Sequence, residues 1–487
     1  VAQAMRQSVT LAMGFRTPLT SIDPQIVRAY DLRGRASDQL TPQTVYWIGR
    51  AIAAKLSPLN SSGVCVGADG RESGPELKHA LIAGLREGAV DVIDLGYCAT
   101  PVVYFAAAQQ PQMNAVVLTA SHNPADQNGI KLVLNNEAQL DHEIIELAHT
   151  AVHGPFSSGS GTLREHSHDS AYVHAIAQRY PLKAGLKVVV DCANGIGGPV
   201  TKMLFKQLKT RLSLLFAEVD GRFPNHSPDP CVADNLVALK QAVILQHADV
   251  GFALDGDADR IVAVTGSGRP VAADQILMLL AADMLERRKG LVLMDAKCSS
   301  AVRERIELAG GTVQIGRTGH SPMKRLMQLS GALCGGEFSA HYYFDDWYGF
   351  DDALFTAVRL LDLLQRKACS LDELIQALPQ RQSTPEIRIE VDDRRKFELI
   401  ERLAECDFNA VEINRVDGLR VEYPSGWGLV RASNTEPALV MRFEASNADE
   451  INRIITEFNK KLKQIDANVS ISAFSTEPQG GRYATQS

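Results

Sequence analysis

Val116-Val117-Leu118-Thr119-Ala120-Ser121-His122-Asn123-Pro124 is an apolar run that empties into a loop of small and polar residues, continued by Ala-Asp-Gln-Asn-Gly129-Ile130-Lys131. The run reads as a buried strand, and the loop after it presents one hydroxyl beside one imidazole. Ligands of α/β sheets collect at the carboxyl ends of parallel strands. Ser121 is therefore a candidate nucleophile or phosphate carrier. From this stretch alone, a polar turn closed by Pro124 is the alternative.

Upstream, Val64-Cys-Val-Gly67 and Val90-Asp-Val-Ile93 are short apolar strands flanking a helical pattern from Pro75 to Glu87. Strand, helix and strand in this rhythm predict a parallel or mixed sheet with helices on its faces. Before them, Tyr30-Asp31-Leu-Arg33-Gly34-Arg35 is a basic, glycine-closed turn, and Thr41-Pro42 starts a helix. The first twenty residues hold Arg6 and Arg16, no acidic residue and only dispersed apolar ones, which predicts a loose arm, with a targeting extension as the alternative.

Downstream, Gly154-Pro-Phe-Ser-Ser-Gly-Ser-Gly161 reads as a linker, so a first region is expected over residues 1–163. Leu186-Lys-Val-Val-Val-Asp191 opens a second region, residues 164–268, and leads into a glycine-rich strand-to-helix turn at Asn194-Gly195-Ile-Gly197-Gly198. Its next strand, Val250-Gly-Phe-Ala-Leu254, runs into Asp255-Gly256-Asp257-Ala258-Asp259-Arg260. Three carboxylates at alternate positions of a short loop repel one another, and a divalent cation makes the arrangement favourable. Hard oxygen donors in expected phosphate company select Mg²⁺. The loop is not an EF-hand, because Arg260 and Gly266 stand where that motif needs glycine and glutamate. A third region, residues 269–381, has Leu291 to Lys297 as strand and Ala301 to Ala309 as helix, then Gly316-Arg-Thr318-Gly319-His320 and Gly335-Gly336-Glu337-Phe338-Ser339-Ala340-His341. An amphipathic helix from Phe350 to Leu364 is expected to close it. Three regions thus repeat one plan, a strand and then a functional loop, which suggests a duplicated domain. Taken alone, Glu337 and His341 would also fit ordinary surface groups.

Residues 382–487 change character to alternating strands (Glu386 to Val391, Gly418 to Tyr423, Leu439 to Phe443) with helices at Arg395 to Ala404 and Asp449 to Lys463, an α+β module. Its turn Arg431-Ala-Ser433-Asn434-Thr435-Glu436-Pro437 collects guanidinium, hydroxyl and amide donors suited to a phosphate. Beyond Ala473 the polar tail is expected to be disordered.

The whole chain has 487 residues, enough for about three or four domains, and a formal charge of −7. Its mean hydropathy is −0.08. These values point away from a basic nucleic-acid surface and from a membrane protein. Eight scattered cysteines without a CxxC pair predict reduced thiols and a cytoplasmic location.

With its four loops in hand, in the order Thr-Ala-Ser-His-Asn-Pro, Asp-Gly-Asp-Ala-Asp-Arg, Gly-Glu-Phe-Ser-Ala-His and Arg-Ala-Ser-Asn-Thr-Glu-Pro, the chain resembles the α-D-phosphohexomutase superfamily, within it the bacterial phosphomannomutase/phosphoglucomutase group. The resemblance implies three related α/β domains with mixed sheets plus a smaller C-terminal α+β domain around a central cleft. It implies reversible interconversion of hexose 1- and 6-phosphates, through a phosphorylated Ser121 and a glucose 1,6-bisphosphate-type intermediate that also serves as activator. Asp255, Asp257 and Asp259 then correspond to Mg²⁺ ligands, completed by an oxygen on Ser121. Arg260 neutralises developing charge. Lys131, His341 and Arg33 are the candidates for general base, with Arg33 ranked last because its charge is effectively permanent. His122 orients the serine. Glu337 and Ser339 fall where the family contacts sugar hydroxyls, and Arg431, Ser433, Asn434 and Thr435 where it grips the phosphate that is not being transferred. Tyr30, Lys297 and His320 complete the substrate side. Ala340 departs from the usual glycine, which constrains the sugar loop, and Phe338 resembles the mannose/glucose enzymes more than phosphoglucosamine mutases. Small hexose phosphates are the expected partners, with no nucleic acid and no membrane, and a monomer is expected, with a dimer as the alternative. Phosphoglucosamine mutase, a metal-dependent phosphatase and a non-catalytic sugar-phosphate-binding protein are the competing readings.

Overall fold

A computed structural model describes residues 15–56, 63–110, 112–183, 185–392, 394–433 and 437–471. The first fourteen residues, the tail expected to be disordered, and Asn434 and Thr435 lie outside the described residues. What is described of the arm is docked rather than loose. Phe15 is buried against Tyr46, ring centroids 5.3 Å apart, and the Thr17 carbonyl accepts from Trp47 Nε1 at 2.8 Å.

The described residues form four sheets. The strands of the first are β1 (Leu32–Arg35), β2 (Gly63–Ala68), β3 (Val92–Tyr97), β4 (Met113–Leu118), β5 (Gln127–Leu134), β6 (Glu137–Ala138) and β7 (Leu163–Glu165). The second holds β8 (Lys187–Asp191), β9 (Arg211–Leu215), β10 (Val250–Leu254) and β11 (Ile261–Thr265), and the third β12 (Leu291–Asp295), β13 (Thr312–Gly316), β14 (Cys334–Gly336) and β15 (Tyr342–Phe344). One plan recurs. In the order β3-β2-β4-β5, β9-β8-β10-β11 and β13-β12-β14-β15, a central strand pairs in parallel with two neighbours, and the last two strands form an antiparallel hairpin. Every hairpin turn carries a loop singled out in the sequence: the Ser121 loop, the triple-aspartate loop and the Glu337–His341 loop. The strands β2, β4 and β10 are buried at every position, which is why they read as unbroken apolar runs rather than as alternation.

Two segments depart from expectation. The glycine-rich stretch taken as a linker runs along the end of the helix Gly74–Glu87, with the Gly161 N–H on the Arg86 carbonyl at 2.8 Å. It then enters β7, which pairs in parallel with β3 and extends the first sheet past residue 163. The helix expected near Phe350 forms as Ala353–Lys367, started by an Asp352 cap on the Phe355 N–H, but it packs on β11 of the second sheet instead of closing the third. Tyr172 donates to Asp352 at 2.7 Å, both fully buried. A helical stripe announces a face to be covered, and says nothing about which sheet it covers.

The fourth sheet, β16 (Gln382–Ser383), β17 (Ile387–Glu390), β18 (Glu412–Asn414), β19 (Leu419–Tyr423), β20 (Gly426–Ala432) and β21 (Ala438–Ala445), is antiparallel throughout. The helices Arg395–Ala404 and Ala448–Ile465 close a core of Leu403, Leu419, Val430, Met441, Phe443, Ile454 and Phe458 with it. By chain contacts the protein divides into two compact units. One comprises residues 1–230, 238–268 and 350–368, with the first two sheets, and the other residues 231–237, 269–349 and 369–487, with the last two.

Candidate active site

In the first unit, β4 ends at Leu118 and the chain turns sharply. Ser121 adopts φ 53°, a left-handed conformation that costs a non-glycine residue about 1–2 kcal/mol. The turn carries its hydroxyl to the aspartate loop, where Oγ donates to Asp255 Oδ2 at 2.5 Å, and His122 Nδ1 lies 3.2 Å from the same oxygen. On the other side, the Thr119 hydroxyl accepts the Ser121 N–H at 2.8 Å and donates to Asp69 at 2.7 Å. Arg33, reaching across from β1, bonds Asp31 at 2.7 Å, the Asn123 side chain at 3.1 Å and the Ala120 carbonyl at 3.3 Å. Tyr30 is half-buried in the turn before it, near enough to act on its charge.

The three aspartates are fully buried, with one oxygen from each within 4.8 Å of the others. Burial and the two neighbouring carboxylates push Asp255 well above the ordinary carboxylate range. Asp257, against the same burial, is held below it by Lys131 and by the Thr100 hydroxyl. Lys131, itself buried, bonds Asp257 at 2.8 Å and also pairs with Asp259. Despite its burial, these two carboxylates raise its pKa well above the usual lysine value. Arg260 stands 4.0 Å from Asp255. One ammonium among three buried carboxylates leaves a net negative pocket of hard oxygens, and Asp257 Oδ1 is buried without a hydrogen bond among the described residues. The donor set fits a small divalent cation.

The second unit carries the other candidates. Glu337, buried, accepts from the Gly319 N–H at 2.6 Å and from the Tyr343 hydroxyl at 2.6 Å. Burial works to raise its pKa, yet the bonds from His341, Tyr343 and Gly319 hold it down at about 2. His341 Nδ1 lies 3.3 Å from Glu337 and 3.1 Å from the Ser339 hydroxyl. Ala340 has φ 68°, which supplies the physical reason that a glycine suits this position. His320 opens the helix His320–Ser330, its ring 6.0 Å from that of His341 and its Nδ1 3.1 Å from Lys324 Nζ. Lys297 pairs with Glu386 at 3.3 Å and lies over the Phe338 ring, and the Arg442 guanidinium is 4.0 Å from the centre of the same ring. Arg431, at the end of β20, is held through Nε by Asp417 at 2.9 Å, while its Nη2 is buried with no hydrogen bond among the described residues. Ser433 follows it, buried, its carbonyl on Lys396 Nζ at 2.8 Å.

Four residues of this arrangement escaped the sequence reading: Asp69, Arg71, Asp295 and Asp417. Asp69 and Asp295 stand at the carboxyl ends of the equivalent central strands β2 and β12. Asp295 accepts the Phe338 N–H and the Thr318 hydroxyl, each at 3.2 Å, and so braces two loops at once. Their position after a buried strand was the available signal.

Phosphoryl-transfer isomerases are the class of enzyme that this fold and these residues define. The chain belongs to the phosphoglucomutase/phosphomannomutase family: descriptions of its alpha/beta/alpha domains I, II and III match residues 24–153, 170–268 and 272–382, and its C-terminal domain matches residues 386–461. It is 41% identical to a phosphomannomutase/phosphoglucomutase of Pseudomonas syringae pv. tomato over 92% of this chain and 97% of that one. It is 40% identical to a phosphoglucomutase of Neisseria gonorrhoeae over 91% of this chain and 98% of the relative. A crystal structure of a phosphoglucomutase/phosphomannomutase family protein from Burkholderia thailandensis superposes with a TM-score of 0.87 at 39% identity, covering 93% of this chain and 100% of that one.

Proposed function

We propose that the protein interconverts the 1- and 6-phosphates of mannose and glucose, using Ser121 as phosphoryl carrier. The observation that carries this reading is the left-handed, buried Ser121 whose Oγ is hydrogen-bonded to the first aspartate of a three-carboxylate loop. A hydrolytic serine needs a histidine held by an acid, whereas this serine faces an anionic pocket suited to a cation and, with it, to a phosphoryl group. Asp255, Asp257, Asp259 and an oxygen of phosphorylated Ser121 would hold Mg²⁺, which neutralises phosphoryl charge when bound.

In the first half-reaction, the free hydroxyl of a hexose phosphate attacks phosphorus; its O–P bond forms as the bond to Ser121 Oγ breaks, and a general base takes its proton. The resulting 1,6-bisphosphate turns end for end, and its other phosphate returns to Ser121 by the reverse steps. Lys131 is ion-paired with Asp257 and Asp259, which suits charge balance around the transferring group better than proton abstraction. His341, poised between Glu337 and Ser339, is the better base, and Arg33 and Arg260 are fixed positive charges. Glu337 and Ser339 recognise sugar hydroxyls, Lys297 and His320 contact sugar or phosphate, and Arg431, held through Nε by Asp417, grips the resting phosphate together with Ser433, Asn434 and Thr435.

The deciding experiment incubates the protein with mannose 1-phosphate, glucose 1-phosphate or glucosamine 6-phosphate, each with Mg²⁺ and a trace of glucose 1,6-bisphosphate. Isomerisation of the first two without release of inorganic phosphate is expected. Turnover of the glucosamine substrate alone would replace the reading by phosphoglucosamine mutase, stoichiometric phosphate release would make the protein a phosphatase, and silence on all three would leave a binding protein.

A further inference from the structure

Arg71 lies three residues beyond the end of β2 in a stretch, Asp69-Gly70-Arg71, that no step above uses. It is 1% exposed, and each of its five N–H donors is committed. Nε bonds Asp69 at 3.0 Å. Nη1 bonds the carbonyls of Pro124 and, at 3.0 Å, Gln127. Nη2 bonds the carbonyls of Ser121 at 2.9 Å and Asn123 at 2.7 Å. Phe223 covers one face of the guanidinium, 5.1 Å from its centre. Gly221, two residues before that ring, lies so close to Arg71 that a Cβ there would come within 2.6 Å of its Cα.

We infer that Arg71 is a positioning residue for phosphoryl transfer: its guanidinium gathers four carbonyls of the 121–127 loop from behind and fixes the left-handed turn that aims Ser121 Oγ at the aspartates. Only a planar fork with five donors serves four carbonyls and a carboxylate at once; a lysine has three donors and no fixed plane. The Thr119 hydroxyl holds the N–H side of Ser121 and Arg71 the carbonyl side, so the peptide units on both sides of the strained residue are pinned. With every donor spent on protein acceptors, Arg71 has none to offer a sugar phosphate. The side chain therefore acts on the rate of transfer and not on substrate binding, which separates it from Arg33, Arg260 and Arg431.

This inference rests on the mutase reading, and its test keeps the two apart. Full-length wild type, Arg71→Lys and Phe223→Ala are compared by steady-state kinetics on mannose 1-phosphate and by the single-turnover rate at which glucose 1,6-bisphosphate phosphorylates Ser121, read by intact mass. For Arg71→Lys, kcat and the phosphorylation rate are expected to fall together by about 100-fold, the loss that a misplacement of about 1 Å brings, with KM little changed. Phe223→Ala removes the cover and keeps all five donors, and a smaller loss of the same kind, again at constant KM, is expected. A transfer rate in Arg71→Lys within about threefold of wild type, or a loss confined to KM, overturns the inference. If Arg71→Lys does not fold, Phe223→Ala decides: slowed transfer at unchanged KM supports the positioning role, and unchanged transfer overturns it. A wild type that neither isomerises nor takes a phosphate on Ser121 rejects the mutase reading itself.

Discussion

Lys297 and Glu386, with side chains 12% and 19% exposed, show how a single half-buried pair ties stability to pH. The lysine's charge, working against burial, holds Glu386 down at about 2 from an ordinary value of 4.5. In the unfolded chain Glu386 takes up its proton near 4.5, whereas in the folded chain it stays ionised almost to pH 2. Its contribution is thus complete above 4.5 and disappears as pH falls toward 2. A displacement of this size is worth about 3 kcal/mol. Urea unfolding at pH 7 is expected to show Glu386→Gln destabilised by roughly 1–3 kcal/mol, and the gap to wild type should close at pH 2–3. The aspartate loop gives a second test at this scale. Mg²⁺ is expected to raise the melting temperature of the wild type, since a ligand of the native state stabilises it by mass action. In Asp257→Asn, which removes a charge and a buried oxygen that has no hydrogen bond among the described residues, that shift should largely vanish. An equal shift in both proteins would take the cation away from this loop. What the sequence concealed at this scale is also physical. Ser121 and the three aspartates stand in short motifs and could be read directly. Arg71 acts on carbonyls 50 or more residues away, and a carbonyl leaves no mark in sequence, so its partner looks like any other arginine.

At the scale of elements, the hairpin turns do the placing. Gly256 passes so close to the Ser121 carbonyl that no side chain fits between them. Gly256→Ala is expected to push the two loops apart and lower kcat by about 100-fold, with circular dichroism and melting temperature near wild type; an active Gly256→Ala would mean that this approach is not needed. The strands leading into these turns were legible for the reason that they are buried on both faces. β20 was not, because Gly426-Trp427-Gly428 breaks its pattern like a turn, although Trp427 is fully buried with the Arg420 guanidinium 3.9 Å from its ring centre. Arg431, accordingly expected in a turn, lies in the last part of a strand.

At the scale of the molecule, the third and fourth sheets are joined within one unit by charged groups that carry no catalytic signature. A single oxygen of Glu444, on β21, accepts from the Ser299 hydroxyl at 2.9 Å, the Ser300 N–H and hydroxyl at 3.0 Å and Trp427 Nε1 at 2.9 Å, and so caps the helix Ser300–Leu308. Arg420 adds bonds to the carbonyls of Ala296 and Cys298, both at 2.7 Å. Glu444→Ala strands four donors, at a cost of about 2–4 kcal/mol. Scanning calorimetry is expected to show the C-terminal α+β domain melting ahead of the rest in this variant; a single unbroken transition shifted by less than a degree would deny the junction that role.

The helix Ala353–Lys367 has a consequence for how the protein is made. It belongs with the second sheet, yet the ribosome delivers it only after the whole of the third sheet's sequence. Ser121 and the aspartate loop therefore leave the ribosome while the sheet beside them still lacks its cover, and the nascent chain must carry that exposed apolar face through the synthesis of about ninety further residues. Chaperone dependence during translation, rather than the stability of the finished enzyme, is where substitutions at Tyr172, Asp352 or Phe355 would first be felt.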